Sequence, residues 1–454
     1  MRIVRLANFV APHSGGLRTS LAEIGAGYLA AGHEPVLVIP GERDGDQPTA
    51  QGRVITLRAP RVPFTGGYRV LWRRRRLARL LARLRPDVLE VSDRTTLRWT
   101  GVWAREHGVP AVMVSHESVR ALLEGALPGV AQSGLGRVVA NWLNRRTAQA
   151  YQQVICTTGW AAAEFERIGA DNVVRVPLGV DPAIFTPRAI GSGQMRAQGQ
   201  ILLVHCGRLS AEKKPQRSLT TLLTLRASGL PVRLVVAGDG PLRPRLERRA
   251  ARAGLPVTFV GFLPGRADLA ALLASADVAL APGPAETFGL AALEALACGT
   301  PVVVSAESAL PEVVGEAGAS VPGQDLAAGV RAVLARPEQA RRAAARARAE
   351  QYDWATAVRG FLAVHGADQE RVRPGGGRHD DVRGARRLDH GRHGRPGARR
   401  RLARLGRAAG QHAAPARGAQ PGHAGCTGRR RGARSAAGRD GPAARRGQRG
   451  GGHQ

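Results

Sequence analysis

Short apolar segments alternate with longer helical patterns along most of this 454-residue chain. The chain opens with an apolar run over residues 2–8, a turn that contains Gly15 and Gly16, a helical pattern over 17–31 and a second apolar run over 35–39. A strand, a glycine turn, a helix and another strand form a βαβ unit, and successive units build a parallel sheet covered by helices. The sequence therefore predicts an α/β chain with doubly wound parallel sheets.

The alternation occurs in two blocks, which are separated by a turn-rich segment at 177–187 and a linker-like composition at 189–199. Strands of the first block are predicted at 54–57, 88–91, 111–115, 154–157 and 173–176. Those of the second are predicted at 201–206, 232–237, 257–260, 278–281 and 301–305, with helices at 216–227, 242–253, 267–275 and 290–297. We therefore predict two Rossmann-like domains, 1–188 and 189–345, facing one cleft, and further helices at 337–349 and 354–365.

The last segment, 367–454, differs sharply in composition from the rest of the chain. It contains 22 arginines, six acidic residues and no lysine, Ile, Phe, Tyr, Trp or Met, so it carries half of the net charge of +32. Such a segment buries too little apolar surface to offset the entropy of ordering, and we predict a disordered basic tail. It could be an arm for nucleic acid or anionic membranes, but its arginine-only basicity favours a GC-rich gene translated out of frame. We therefore expect no nucleic-acid partner.

Other features restrict the environment of the chain. The four cysteines (Cys156, Cys206, Cys298 and Cys426) are scattered without metal-ligand spacing, which favours free thiols in a reducing compartment. No signal-peptide pattern and no run of eighteen apolar residues is present, so a cytoplasmic protein without a membrane-spanning helix is expected.

The second predicted domain begins with a strand and a loop that carries Arg208 and Lys213 just before a helix. Two cations beside a helix N-terminus can neutralise a bound diphosphate and the charge that grows on it when a sugar–phosphate bond breaks. The alternative is a solvated basic loop without a ligand.

The strongest single motif spans residues 284–301 and contains two glutamates, Glu286 and Glu294. Glu286 is predicted in a loop after a strand, whereas Glu294 is predicted two turns into the next helix. The amides of Gly289 and Leu290 begin that helix and can hold a phosphate. Glu294 can then accept hydrogen bonds from a ribose, and Glu286 can bind sugar hydroxyls. The alternative, a helix N-terminal acid and a solvent-facing acid, is disfavoured by the apolar helix around Glu294.

Taken in order, Gly15-Gly16, the Gly207-Arg-Leu loop with its lysine, the Gly-Asp-Gly-Pro segment ending at Pro241, Val260-Gly-Phe and the two-glutamate block resemble retaining glycosyltransferase family four, of the GT-B fold. The resemblance covers residues 1–366, and the segments at 205–213 and 281–294 are similar to actinobacterial GDP-mannose-dependent α-mannosyltransferases. It implies that the helix over 346–366 crosses back onto the first domain.

The resemblance also implies a role for each matching residue. His116, Arg208, Lys213 and Glu286 would be catalytic, with His116 at the 6-hydroxyl of the sugar; alone, a histidine there is more often structural. The implied donor-binding set comprises Gly16, Arg208, Lys213, Gly261, Phe262, Glu286, Phe288, Gly289, Leu290 and Glu294. Within it, Gly261 and Phe262 lie where the nucleobase is bound, and Gly16 allows donor and acceptor to approach closely.

The implied reaction is mannose transfer from GDP-mannose to a membrane glycolipid of the glucuronosyl-diacylglycerol or phosphatidylinositol mannoside type. A UDP-sugar with a soluble acceptor is the alternative. The cleft loops contain no Asp-x-Asp pair, so we expect no metal or other cofactor. Retention then requires either Glu286 as a nucleophile or front-face attack with the leaving diphosphate accepting the proton, and we favour the latter.

Residues 73–84 form a basic amphipathic pattern, with Leu77, Leu80, Leu81 and Leu84 on one helical face. Such a helix suits an anionic bilayer, which predicts a peripheral protein on the inner face of the plasma membrane. The alternative for the leucines, which we favour, is packing on the first sheet, with the arginines at 73–76 still free to contact lipid headgroups.

Overall fold

The computed structural model describes residues 1–10, 15–62, 67–116, 118–119, 133–188 and 199–366. The predicted tail at 367–454, most of the linker at 189–199 and part of the turn before Gly15 lie outside the described residues.

The first half of the chain contains an eight-stranded sheet in the order β3-β4-β2-β1-β5-β6-β7-β8. Its strands are β1 (Arg2–Leu6), β2 (Glu34–Gly41), β3 (Gly45–Thr49), β4 (Gly52–Arg58), β5 (Val88–Val91), β6 (Ala111–Ser115), β7 (Gln153–Cys156) and β8 (Val173–Arg175). All neighbouring strands are parallel except β3, which pairs antiparallel with β4 at the edge. Strand β3 was not predicted, because its residues, Gly-Asp-Gln-Pro-Thr, bury no apolar face.

Helices cover both faces of this sheet. They are α1 (Gly15–Ala30), α2 (Arg74–Leu84), α3 (Trp99–Glu106), α4 (Gly134–Ala150) and α5 (Gly159–Glu166). One core joins the face that carries Val4 and Leu6 to residues of α2, α3, α4 and α5, whereas α1 packs on the opposite face. The four leucines of α2 are all buried in that core, so the favoured alternative for them is correct.

The second half contains a six-stranded parallel sheet in the order β11-β10-β9-β12-β13-β14. Its strands are β9 (Ile201–Cys206), β10 (Val232–Ala237), β11 (Val257–Gly261), β12 (Val278–Ala281), β13 (Val302–Ser305) and β14 (Ala319–Val321). The strand order reverses between β9 and β12, and ligands of open α/β sheets bind beside the carboxyl ends of the strands at such a point. The loops after β9 and β12 are those that carry Arg208, Lys213 and Glu286.

Eight helices are described after β9. They are α6 (Gln216–Ala227), α7 (Arg243–Arg252), α8 (Arg266–Ser275), α9 (Leu290–Ala297), α10 (Leu310–Val314), α11 (Ala327–Leu334), α12 (Glu338–Ala349) and α13 (Trp354–Val364). Both expected doubly wound halves are therefore present. The short elements α10 and β14 were not predicted, because five and three residues are too few to show a hydrophobic period in the sequence.

The last helix, α13, returns to the first half of the chain. The Val180 amide donates to the Tyr352 carbonyl at 3.1 Å, just before α13 begins. Helix α13 then packs on α1 at Gly27, where an added Cβ would lie 2.3 Å from a methyl carbon of Val358. Close contact of the two helices thus depends on the missing side chain of Gly27.

A buried charged cluster fixes the end of α13 in the first half. The Arg5 guanidinium donates to Glu90 at 2.8 Å, and the Tyr28 hydroxyl donates to the second Glu90 oxygen at 2.7 Å. The His365 Nε2 lies 3.2 Å from that same oxygen. Burial raises the pKa of Glu90, but the attraction of Arg5 and hydrogen bonding to His365 more than offset it and hold that pKa well below its usual range. The carboxylate therefore stays ionised.

Within the part of the chain that the structure describes, no helix has the length and apolarity needed to cross a bilayer. The three cysteines in that part, Cys156, Cys206 and Cys298, are free thiols, and burial raises the pKa of each to about 12.

Candidate active site

The loop that follows β9 is held by direct backbone contact with the loop that follows β10. The Gly207 amide donates to the Ala237 carbonyl, and the Leu209 amide donates to the main-chain carbonyl of Asp239, each at 3.0 Å. A Cβ on Gly238 would lie 1.9 Å from the Gly207 carbonyl oxygen, so only glycine fits there. These contacts fix the backbone on both sides of Arg208.

The Arg208 side chain packs on an aromatic residue of the first half. Its guanidinium carbon lies 4.4 Å from the ring centroid of Tyr68, within the range of a cation–π interaction. Tyr68 in turn meets Phe9 edge to face, with ring centroids 5.9 Å apart. Burial raises the pKa of Tyr68, which therefore stays neutral. Tyr68 was not among the predicted site residues, because no local pattern relates it to a loop 140 residues further along the chain.

Lys213 and Glu286 form an ion pair across the switch point. The Lys213 ammonium donates to Glu286 at 2.6 Å, and both side chains are partly exposed. Burial lowers the pKa of Lys213, but the attraction of Glu286 and their hydrogen bond more than offset it, and the net shift is upward. The two loops approach closely at Gly283, where an added Cβ would lie 3.3 Å from the Lys213 Cα. The predicted cation and the predicted sugar-binding acid are therefore adjacent.

Helix α9 begins at the same point of the sheet. Gly289 precedes it in a left-handed conformation, with φ of 81°, and a Cβ there would lie 2.1 Å from Leu310. The first amides of a helix have no acceptor within the helix, so the start of α9 can bind an anion. Gly16 faces this helix end across the cleft, because its Cβ position lies 3.9 Å from Leu290.

Glu294 lies in the second turn of α9. Burial raises the pKa of Glu294 to about 7, and the attraction of Arg266 reduces that rise only in part. After burial, the charge of Glu294 is the second cause that raises the pKa of Cys206, the last residue of β9. The side chain of Glu294 is partly exposed, and its ionised form can accept hydrogen bonds from a polar ligand.

His116 lies at the first-half side of the cleft, directly after β6. The Thr287 hydroxyl donates to the His116 carbonyl at 2.7 Å, and the Thr158 hydroxyl donates to the Thr287 carbonyl at 2.9 Å. Burial lowers the pKa of His116 to about 4. The imidazole is therefore neutral near pH 7, which suits a hydrogen bond to a hydroxyl and not the role of a charged acid.

Gly261 is the last residue of β11, and Phe262 follows it. The Gly238 amide donates to the Gly261 carbonyl at 2.7 Å, so this turn adjoins the glycine loop after β10. Phe262 is 41% exposed, and an exposed aromatic ring can stack on a base.

The structure does not bring the side chain of Phe288 into the cleft with the other predicted residues. Its ring is buried in the core and meets Tyr352 edge to face, with centroids 5.9 Å apart. Phe288 thus shapes the loop between Glu286 and α9 from within.

A second residue that sequence analysis missed, Glu312, joins the two halves. Its carboxylate accepts from the amides of Gly159 at 3.0 Å and Trp160 at 3.2 Å, at the start of α5. It also pairs with Arg175 at 2.7 Å. An anion from the second half therefore caps a helix of the first half.

Two family profiles match the two halves of the chain. Residues 14–184 match the family described as Glycosyltransferase Family 4, and residues 193–350 match Glycosyl transferases group 1. The chain is 51% identical, over 81% of its length and 96% of the relative, to a GDP-mannose-dependent alpha-(1-6)-phosphatidylinositol dimannoside mannosyltransferase of Mycobacterium tuberculosis. It is 30% identical, over 67% of its length and 79% of the relative, to a GDP-mannose-dependent alpha-mannosyltransferase of Mycolicibacterium smegmatis.

Solved structures share the fold at lower identity. Sucrose-phosphate synthase from Thermosynechococcus elongatus superposes with a TM-score of 0.65 at 22% identity, over 82% of this chain and 99% of that one. Anabaena HepE, in complex with UDP and glucose, superposes with a TM-score of 0.62 at 20% identity, over 81% of this chain and 100% of that one. The resemblance inferred from the motifs is thereby confirmed, and the chain belongs to glycosyltransferase family 4, with the GT-B fold of two Rossmann-like halves.

Proposed function

We propose that this glycosyltransferase transfers mannose from GDP-mannose, with retention, to a lipid-linked acceptor of the phosphatidylinositol mannoside type. The observation that carries the proposal is the convergence of Arg208, the Lys213–Glu286 pair, the start of α9 and Glu294 at one switch point. The name of the relative that is 51% identical includes GDP-mannose and phosphatidylinositol dimannoside. This favours GDP-mannose over a UDP-sugar as donor, and a phosphatidylinositol mannoside over a soluble acceptor or a glucuronosyl lipid.

In the proposed mechanism the leaving GDP is stabilised by charge. Arg208, Lys213 and the first amides of α9 face the diphosphate, Glu294 accepts from the ribose hydroxyls, and no metal is needed to bind the leaving group. The Glu286 carboxylate already accepts a hydrogen bond from the Lys213 ammonium, so we assign it to orienting the sugar and leave the front-face path to the acceptor hydroxyl. That hydroxyl attacks the anomeric carbon as the bond to phosphate breaks, and its proton passes to the departing phosphate oxygen.

The lipid acceptor requires contact with a membrane, which we assign to the inner face of the plasma membrane. The buried leucines of α2 are committed to the core, but the arginines at 73–75 project from the start of the helix, next to Trp72, which is 61% exposed. Cations beside an exposed indole suit anionic headgroups.

The test is transfer of labelled mannose by the full chain, with lipid and soluble acceptors and with GDP-mannose, UDP-glucose or UDP-GlcNAc as donor. We expect Lys213→Ala and Glu286→Ala each to lower kcat/KM by about 100-fold or more, since both remove charge at the reacting centre. Lys214→Asn is the matched control, because it removes the adjacent cation at a left-handed position that asparagine tolerates.

Folded variants at 213 and 286 that both transfer at the wild-type rate would refute the site. Preference for a UDP-sugar would refute the donor. Activity that chelator abolishes and Mg²⁺ restores would refute metal independence.

A further inference from the structure

Helix α4 exposes an apolar stripe to solvent. Leu135 and Val138 are each 63% exposed and Trp142 is 49% exposed. Their spacing of three and then four residues places them on one face of the helix. The opposite face, which includes Ala140, Asn144, Thr147 and Ala148, is buried against the first half. A surface helix normally has polar residues on its outer face, so this stripe requires a partner.

The charges on α2, α3 and α4 are nearly all positive. Helices α2, α3 and α4 together contain nine arginines and a single acidic residue, Glu106. Arg146 lies over the indole of Trp142, with 4.5 Å between its guanidinium carbon and the ring centroid. The partner must therefore be apolar within and anionic at its surface.

The stripe lies in the same helical layer as the exposed Trp72. Helices α2, α3 and α4 all pack on one face of the first sheet, and Arg74 at the start of α2 lies over Trp99 at the start of α3, 5.9 Å from its ring centroid. Each of these helices follows a parallel strand, so its N-terminal end lies at the carboxyl edge of the sheet, which is the edge of the cleft. Trp72 and Leu135 thus mark the cleft end of one basic and apolar surface.

We propose that this surface docks on an anionic bilayer, with Leu135, Val138 and Trp142 inserted among the acyl chains and the arginines at headgroup phosphates. The inference rests on the proposed lipid acceptor and adds a second helix that inserts apolar side chains, beyond electrostatic contact by α2. A second copy of this chain is a poorer partner, because a two-fold contact through this face would set arginine against arginine.

The first test is sedimentation of the full chain with vesicles of phosphatidylcholine and about one third phosphatidylglycerol, against phosphatidylcholine alone. Added salt of about 0.5 M screens all exposed arginines, those of the segment at 367–454 included, so the remaining binding reports mainly apolar insertion. We expect the triple variant Leu135→Ser, Val138→Ser, Trp142→Ser to lower the partition coefficient about tenfold or more, since three apolar side chains lose their burial. Leu223→Ser is the matched control, because Leu223 is similarly exposed, at 46%, in the second half.

The second test is quenching of tryptophan fluorescence by lipids with brominated acyl chains. Residues 367–454 contain no tryptophan, so this signal is blind to them. We expect quenching that Trp142→Phe reduces markedly while GDP affinity, measured by calorimetry, stays unchanged.

The docking proposal would be overturned if the triple variant and the wild type partitioned equally onto vesicles. It would also be overturned if the wild type formed a dimer that the three substitutions abolish, and lipids with brominated acyl chains caused no quenching. Quenching that persists in a protein unable to use GDP-mannose would support docking and refute only the proposed donor.

Discussion

Nucleotide affinity is expected to depend on pH through Glu294. Burial raises the pKa of this carboxyl to about 7, so about half of the free protein carries it protonated at neutral pH. Ribose hydroxyls donate to a carboxylate, and the ionised form is therefore the one that binds best. When only the ionised form binds, the apparent Kd equals the intrinsic Kd divided by the fraction of molecules in which Glu294 is ionised.

The magnitude follows from the pKa. At pH 8 about nine in ten molecules are ionised, whereas at pH 6 only about one in ten is, so GDP binding weakens about tenfold, or by about 1.4 kcal/mol, over that interval. Ligand binding should also release about half a proton per GDP bound at pH 7, which titration in buffers of different ionisation enthalpy detects.

Glu294→Gln is the control, because it keeps an acceptor oxygen and removes the titration. We expect it to bind GDP about tenfold or more weakly than wild type at pH 8, with the loss shrinking as the pH falls. GDP phosphates also titrate near pH 6, but they do so equally with both proteins. If log Kd for GDP changed with pH by the same slope in the wild type and in Glu294→Gln, Glu294 would not bind the ribose.

Three further outcomes are expected. Tyr68→Ala should raise the donor KM about 3- to 30-fold by removing the ring under Arg208, Tyr68→Phe should retain most of the affinity, and equal kinetics of the two would contradict the cation–π contact. Gly289→Ala should lower the melting temperature and abolish GDP binding, since its methyl would overlap a leucine 2.1 Å away; an unchanged melting curve would be inconsistent with this. Glu90→Gln should cost about 3–5 kcal/mol in urea unfolding by leaving Arg5 buried without its partner, and a loss under about 1 kcal/mol would refute that estimate.

Most strands could be predicted because buried parallel strands are continuous apolar runs between turn residues. The strands β9, β10 and β12 begin and end at the predicted residues. Strand β3 could not, because its stability comes from pairing with β4 at the sheet edge and not from an apolar face of its own.

The candidate site was predictable to the extent that its parts are local in sequence. Arg208, Lys213 and the block from Glu286 to Glu294 carry their chemistry in short motifs. Tyr68 and Glu312 were missed, since each contributes only by touching the other half of the chain. The pairing of Lys213 with Glu286, 73 residues apart, likewise depends on the loops of β9 and β12 meeting at the switch point.

The sequence alone determined the class of fold, the order of most of its elements and the residue types that we propose for diphosphate binding, because periodicity, turn residues and helix starts are local properties. Tertiary structure decided which faces and charges are covered. Helices α2 and α4 both carry aliphatic residues at helical spacing, yet Leu77 and Leu81 are in the core and Leu135 and Val138 face solvent. Periodicity fixes that a helix has an apolar face, but only packing against the rest of the chain determines whether that face, or a carboxyl such as Glu294, is removed from water.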